Sequence, residues 1–336
     1  CNWTVTRTYT ISDKCNNAIT KTMSVSGSDK TAPALTGTWP ENITGQDNCV
    51  ANADISGLFS DDQVKALYSD CSEITVTSSD ATTGDDCGWT VTRTYTISDK
   101  CNNATTKTMS VSGSDKTAPA LTGTWPADIA DQDNCVANAD ITGLMSDNDV
   151  KALYKDCSTF EVSHADVTIG DDCNWTVTRT YTISDKCNNA TTKTMSVSGS
   201  DKTVPELTGT WPKDIVDQDN CVANADITGL MSDNDVKALY KDCSTFEVSH
   251  ADATTGDDCG WTVTRTYTIK DKCNNATTKT MSVSGSDKTV PELTGTWPKD
   301  IVDQDNCVAN ADITGLMSDN DVKALYKDCS TFEVSH

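Results

Sequence analysis

Large and small side chains alternate from Trp89 to Ile97: Trp89, Val91, Tyr95 and Ile97 fall on one side of an extended chain, and Thr90, Thr92, Thr94 and Thr96 on the other. Only Arg93 interrupts the apolar side. A period of two with one apolar face predicts a strand buried on that face. A polar turn at Ser98-Asp-Lys-Cys-Asn-Asn103 follows, and alternation resumes from Thr105 to Gly113 with Met109 and Val111 on one side, so the two segments read as an antiparallel hairpin. Ser114 to Pro119 is charged, small and proline-terminated, the signature of a linker. Leu121 to Trp125 reads as a short strand stopped by Pro126. Ser146 with Asp149, and Ser60 with Gln63, carry a capping-box pattern that predicts one helix of about two turns. Thr159 to His164 alternates again, and Ala165 to Asp172 reads as a polar loop.

The whole pattern repeats. Cys-x-Trp-Thr-Val-Thr-Arg begins at Cys1, Cys87, Cys173 and Cys259, a period of 86 residues. Each period is mostly β with one helical insertion, the pattern of a small sandwich, and the chain is a tandem array of such units. If the proline linker separates domains, complete units run over 30–115, 116–201 and 202–287. Residues 1–29 are then the last hairpin of a preceding unit, and 288–336 the first part of a following one. Open strand edges at both ends are unfavourable in water. Either the natural chain continues in both directions, or the end of one chain completes the start of the next by strand exchange. The third and fourth repeats differ only at Asn174/Gly260 and Ser184/Lys270 over their aligned length, which favours a long array.

A unit of this size buries too little surface to be robust without covalent help. Hydrophobic residues are 36% and aromatic residues 6%, so no large core spans the repeats. Sixteen cysteines recur at spacings of 14, 34, 22 and 16 residues with no Cys-x-x-Cys pair, so they read as a disulfide framework in an oxidising, extracellular setting. A strand of about ten residues holds Cys87 and Cys101 roughly 30 Å apart, whereas a bridge needs Cα atoms about 5.5 Å apart. These two therefore do not pair with each other. The expected bridges are Cys71 with Cys101 at one pole and Cys49 with Cys87 at the other. Their counterparts are Cys135 with Cys173, Cys157 with Cys187, Cys221 with Cys259, and Cys243 with Cys273. The alternative is Cys49 with Cys71, bracketing the helix.

Fifty acidic residues against 26 basic ones give a formal charge of -24, which excludes the basic stripes of nucleic-acid binding and disfavours an anionic membrane surface. No apolar run reaches membrane-spanning length, and no membrane insertion is expected. Without a signal peptide or initiator Met, the chain reads as a window of a longer secreted polypeptide. Catalysis finds no support: His164, His250 and His336 share one repeat position that is Ser78 in the first repeat's alignment, and no fixed nucleophile stands beside them. Calcium is the small-ligand hypothesis, on Asp131, Asp133, Asn134 and Asp140, whose hard oxygen donors fall within ten residues; a solvated acidic loop is the competing reading. Rows such as Thr176, Thr178, Thr180 and Thr182 fit an exposed strand face better than a ligand array. Trp89 and Tyr95 are expected in the core rather than on a sugar platform.

The order of Thr-Gly-Thr-Trp-Pro126, Asp133-Asn-Cys135, Asp156-Cys157-Ser158, the Arg-Thr-Tyr-Thr strand and Asp185-Lys-Cys-Asn188 resembles the hyalin-repeat (HYR-like) units of giant Bacteroidetes surface adhesins. The resemblance covers nearly the whole chain. It implies an all-β fold of tandem immunoglobulin-like sandwiches, secretion by the type IX route and a place on the cell surface. Asn102 and Asn188 depart from the family's usual glycine, and the helical insertion has no family role. The expected function is a structural stalk or filament that extends an adhesive tip, each unit adding about 35 Å along strands of ten residues. Its partners are neighbouring repeats, identical chains or surface glycans. The alternatives are a strand-exchanging fibre subunit and a repeated calcium- or glycan-binding module.

Overall fold

The computed structural model describes residues 1–305 and 307–336. It is divided into two compact units, one of residues 1–128, 142–167 and 178–195, the other of 129–141, 168–177 and 196–336. Each contains one complete repeat, 30–115 in the first and 202–287 in the second.

In the first unit the chain opens with a hairpin, β1 (Asn2–Ser12) and β2 (Ala18–Ser28), and then enters the complete repeat. That repeat runs β3 (Ala34–Leu35), β4 (Ile43–Asp47), a 3₁₀ turn at Val50–Asn52, α1 (Asp61–Lys65), β5 (Tyr68–Ser69), β6 (Ile74–Asp85), β7 (Gly88–Asp99) and β8 (Ala104–Ser114). The main sheet has the order β4-β8-β7-β6. β6, β7 and β8 form an antiparallel meander, while β4 lies parallel to β8 with a register shift between Ile43 and Gln46. A small antiparallel ladder of β3 and β5 and the helix α1 make the second layer. The protein is thus a tandem array of immunoglobulin-like β repeats with one short helix each.

The alternating pattern explains the core. Trp89, Val91, Tyr95 and Ile97 of β7 and Met109 and Val111 of β8 are buried together with Leu58, Val64, Tyr68 and Ile74. Burial of each large side chain stabilises by about 1.5–3 kcal/mol. The polar atoms of the aromatics are not stranded: the Trp89 indole donates to the Asn48 carbonyl at 2.8 Å, and the Tyr95 hydroxyl to the Phe59 carbonyl at 2.5 Å. Trp39 stands edge-on to Tyr95, with ring centroids 5.7 Å apart. At Gly113 the parallel strand approaches so closely that a Cβ would meet the Gln46 carbonyl oxygen and the Trp89 ring, each at 2.6 Å, and only glycine fits. The second unit repeats this core with Trp261, Val263, Tyr267, Ile269, Met281 and Val283 against Leu230, Val236 and Tyr240.

Helix α1 begins as expected, with the Ser60 side chain accepting from the Gln63 amide while Gln63 returns the bond to the Ser60 backbone. The segment expected as a polar loop at 165–172 and its counterparts is instead strand. Phe246–Asp257 pairs residue for residue with Gly260–Asp271, ending at Asp257↔Gly260. An edge strand exposes both faces over this stretch, so it shows no apolar alternation to read. Its register also explains the one charge on the apolar face of β7: Arg93 lies opposite Asp80 and holds it through two bonds of 2.7 Å. The hydrogen bonds and charge of Arg93 keep the Asp80 carboxyl below its ordinary value.

Candidate functional site: the cystine-bridged junctions

Among the described residues six disulfides form, and each joins one repeat to the next: Cys1–Cys101, Cys49–Cys157, Cys87–Cys187, Cys135–Cys243, Cys173–Cys273 and Cys221–Cys329. The separations are 100 or 108 residues, always more than one period. None of the expected pairs forms: Cys49 does not meet Cys87, Cys71 does not meet Cys101, and Cys135–Cys173, Cys157–Cys187, Cys221–Cys259, Cys243–Cys273 and Cys49–Cys71 are likewise absent. The distance argument against Cys87–Cys101 holds within one strand. It does not hold one period on, because the start of one repeat's strand faces the hairpin turn of the next, where Cys187 lies with its Cα 5.0 Å from that of Cys87.

The bridges connect into two covalent paths. One starts at Cys15, runs back along β1 to Cys1, crosses to Cys101, runs back along β7 to Cys87 and crosses to Cys187. It continues along the strand Asn174–Asp185 to Cys173, crosses to Cys273 and ends through Gly260–Asp271 at Cys259. The other runs from Cys71 through Cys49, Cys157, Cys135, Cys243, Cys221 and Cys329 to Cys307, and each of its backbone segments carries a helix. The four cysteines unpaired among the described residues, Cys15, Cys71, Cys259 and Cys307, are the ends of these two paths.

Hydrogen bonds fix the geometry around the bridges. In the first unit the linker residue Asp115 donates its amide to the Asp86 carbonyl at 2.8 Å, and its own carbonyl accepts from the Asn189 side chain at 3.1 Å. Asp47 accepts from the Lys116 amide and the Thr117 hydroxyl, and Lys186 pairs with Asp85 at 3.1 Å. In the second unit Asn275 holds the Asp201 carbonyl at 3.0 Å, and Lys272 pairs with Asp171 at 2.9 Å. The asparagines of the Asn-x-Thr sequons at Asn103, Asn189 and Asn275 are therefore committed to the junctions; Asn103 donates to both Asp99 and the Asp29 carbonyl.

The calcium candidates are spread over other tasks. Asp131, at φ 71°, forms an ion pair with Lys202, and Asp133 accepts from the Lys202 amide at 2.8 Å. The Asn134 side chain donates to the Asn138 carbonyl, and the backbone of Asp140 is clamped from both sides by Gln132. A denser group of carboxylates lies at the linkers, where Asp115 and Asp185 are buried beside Asp156. Its counterpart in the second unit is Asp201, Asp242 and Asp271.

Burial first, and then the facing charges of Asp115 and Asp185, push the Asp156 carboxyl above its ordinary value. A carboxyl raised in the folded state costs stability when it ionises, so the cost is absent below the unfolded pKa and grows as pH rises through the folded one. Asp156→Asn keeps an acceptor for the Cys157 amide and a partner for the Ser158 hydroxyl, both now held by Asp156. It should raise the melting temperature at pH 7 by a few degrees, with the two melting curves converging in acid. A gain that persists unchanged to pH 3 would show that charge is not its cause.

The His164 Nδ1 donates to the Asp147 carboxylate, in the first turn of the helix Asp147–Leu153, at 2.6 Å, and His250 does the same with Asp233. No helix among the described residues is long and apolar enough to cross a membrane.

No protein-family model matches the chain, and no curated protein matches it. Solved structures that are similar to it are tandem extracellular domains. Mouse protocadherin-24 EC1-3 is 12% identical over 59% of this chain and 80% of its own, with a TM-score of 0.22. The cadherin domains 1-5 of protocadherin gamma B2 are 7% identical over 86% and 74%, with a TM-score of 0.25. Drosophila N-cadherin EC1-4 is 11% identical over 85% and 84%, with a TM-score of 0.23. At these values the likeness reaches no further than a succession of β repeats.

Proposed function

We propose that this chain is a stretch of load-bearing stalk from a repetitive extracellular adhesin of the hyalin-repeat type, holding a binding tip away from the cell surface. The observation that carries this reading is the pair of covalent paths. A β7-type strand is already extended, so joining the start of one such strand to the turn of the next by a disulfide gives a tether with little slack. Bridges confined to single repeats would stabilise each bead and leave the string between beads unprotected. Here every bridge among the described residues crosses a junction instead. The high acidic charge suits a crowded surface layer, where like-charged filaments repel one another.

Small-angle scattering on chains of two, three and four periods tests the reading. The maximum dimension should rise by about 40 Å per added period, the length of a 12-residue strand at 3.3 Å per residue. Growth that follows the cube root of mass means compaction, and a stalk is then excluded.

A further inference from the structure

In each unit the proline linker carries a buried aspartate whose carboxylate is only half used. Asp201 is 3% exposed; its Oδ1 accepts from the Thr203 amide at 3.2 Å, while its Oδ2 faces the Cys135 sulfur at 3.7 Å. Cys135 is bridged to Cys243, so that sulfur has no proton to give. Asp115 is placed in the same way, 4% exposed, with its Oδ2 3.6 Å from the bridged sulfur of Cys49. Two more buried oxygens lie close to Asp201. Among the described residues neither Asp242 Oδ2 nor the hydroxyl of Ser244, a residue 6% exposed, has a hydrogen-bond partner. The next linker shows that these groups converge: Asp287, the counterpart of Asp201, is within hydrogen-bond reach of both Asp328 and Ser330, the counterparts of Asp242 and Ser244.

Buried polar atoms are ordinarily partnered by protein, water or an ion, and a carboxylate without such a partner is costly to bury. The neighbouring Asp271 is already satisfied, by the Asn275 amide and side chain at 2.7 Å each, so it adds negative charge and no donor. Among the described residues no lysine or arginine pairs with Asp201 or Asp242; Lys272 pairs with Asp171, and Lys288 with Asp217. Burial first, and then the charges of Asp201 and Asp271, push the Asp242 carboxyl above its ordinary value. Two carboxylate oxygens and a hydroxyl with no donor between them are hard ligands. Magnesium demands near-octahedral geometry and gives up water reluctantly, whereas calcium accepts an irregular set and completes its shell with water.

We propose that each junction binds one calcium ion between the linker aspartate, the aspartate before the bridged cysteine and the serine after it: Asp201, Asp242 and Ser244 in the second unit, Asp115, Asp156 and Ser158 in the first. In the first unit the Ser158 hydroxyl donates to Asp156 at 3.3 Å, a contact that the ion takes over. The acidic loop of Asp131 and Asp133 is not this site; its carboxylates are held by Lys202. The ion ties the linker to the stretch of the following repeat where the Cys135–Cys243 bridge enters. It therefore adds a reversible link beside a covalent one, and its loss leaves the junction joined but electrostatically strained.

The test is thermal melting of the whole 336-residue chain at pH 7, stripped with EDTA and titrated with calcium chloride at constant ionic strength. In about 10 mM calcium the melting temperature should rise by about 5–10 °C, the shift for a site of about 0.1–1 mM affinity in a unit of this size. The fourfold variant Asp70→Asn/Asp156→Asn/Asp242→Asn/Asp328→Asn should melt at or above the wild type in EDTA and gain nothing from calcium. Asp131→Asn with Asp217→Asn should keep the full gain. The proposal is overturned by a wild type that does not respond, by an equal response to magnesium, by a response that the fourfold variant keeps, or by one that the Asp131 and Asp217 changes remove. Should the fourfold variant fail to form its bridges, Ser72→Ala/Ser158→Ala/Ser244→Ala/Ser330→Ala removes the hydroxyls alone. It should weaken calcium binding, measured by calorimetry, about threefold or more, and an unchanged affinity also overturns the proposal. The stalk reading stands apart from either result, because scattering measures reach and the bridges join the repeats without the ion.

Discussion

Stretched between Cys15 and Cys259 with its disulfides intact, the chain should show no repeat-sized unfolding step, because the strand segments of the covalent path themselves yield only about 20 Å, the difference between 3.3 and 3.6 Å per residue over four of them. After reduction the same pull should show successive unfolding steps of about 260 Å, the contour of an 86-residue repeat less its folded length. The two thiols are exposed and accept handles directly once Cys71→Ser and Cys307→Ser remove the competing pair. The reason for so large a contrast is the route of the force. With the bridges closed, load passes from β1 through Cys1–Cys101 into β7, and from β7 through Cys87–Cys187 into the next strand. The hydrogen bonds of β6 and β8 to β7 and the core under Trp89 lie beside this route rather than in series with it. Steps of repeat size from an oxidised chain would mean that these bridges do not carry the load, and the mechanical reading would fall with them.

The sequence made most of the repeat legible because its pattern is local. Alternation in Trp89–Ile97 and its relation to Met109 and Val111 marked the sheet and its buried face, and Ser60 with Gln63 marked the start of the helix. The edge strand β6 escaped notice from Ser79 onward, since a strand exposed on both faces alternates nothing. Its one signal is Asp80, the partner that Arg93 requires on an otherwise apolar face. The junctions were harder to read for a different reason. When four cysteines recur at every period, a distance rule applied to one repeat cannot tell a partner in the same repeat from its copy in the next. The rule that separated Cys87 from Cys101 removed the correct pair of cysteine types, because Cys187 is the copy of Cys101 one period on. The Cys49–Cys71 alternative had the correct types and the wrong repeat, for Cys157 is the copy of Cys71. The acidic residues show the same contrast between sequence neighbours and neighbours in the fold. Asp131 and Asp133 are close in sequence, yet they serve the linker at Lys202, whereas Asp115, Asp156 and Asp185 are brought together only by the fold.

This ambiguity has a measurable resolution, because the two connectivities assign opposite roles to Cys71. In the structure Cys49 is 1% exposed and bridges to Cys157, while Cys71 is exposed and unpaired. Loss of the Cys49–Cys157 bridge in the double variant Cys49→Ala/Cys157→Ser should cost about 4 kcal/mol, the loop-closure value for a ring of roughly 70 residues once Cys87–Cys187 shortens the circuit. Alanine at 49 avoids placing a hydroxyl beside Asp115, whose carboxylate lies 3.6 Å from the sulfur. Cys71→Ser should change stability by no more than about 0.5 kcal/mol, as for an exposed side chain without a bridge. Denaturant melts under oxidising conditions compare the two directly. If Cys71→Ser falls as far as the double variant, Cys71 holds a bridge within its own repeat, the junctions are open, and each repeat is a separately braced bead. If only the double variant falls, and the difference vanishes in reductant, the stabilising bond is the one that crosses the junction.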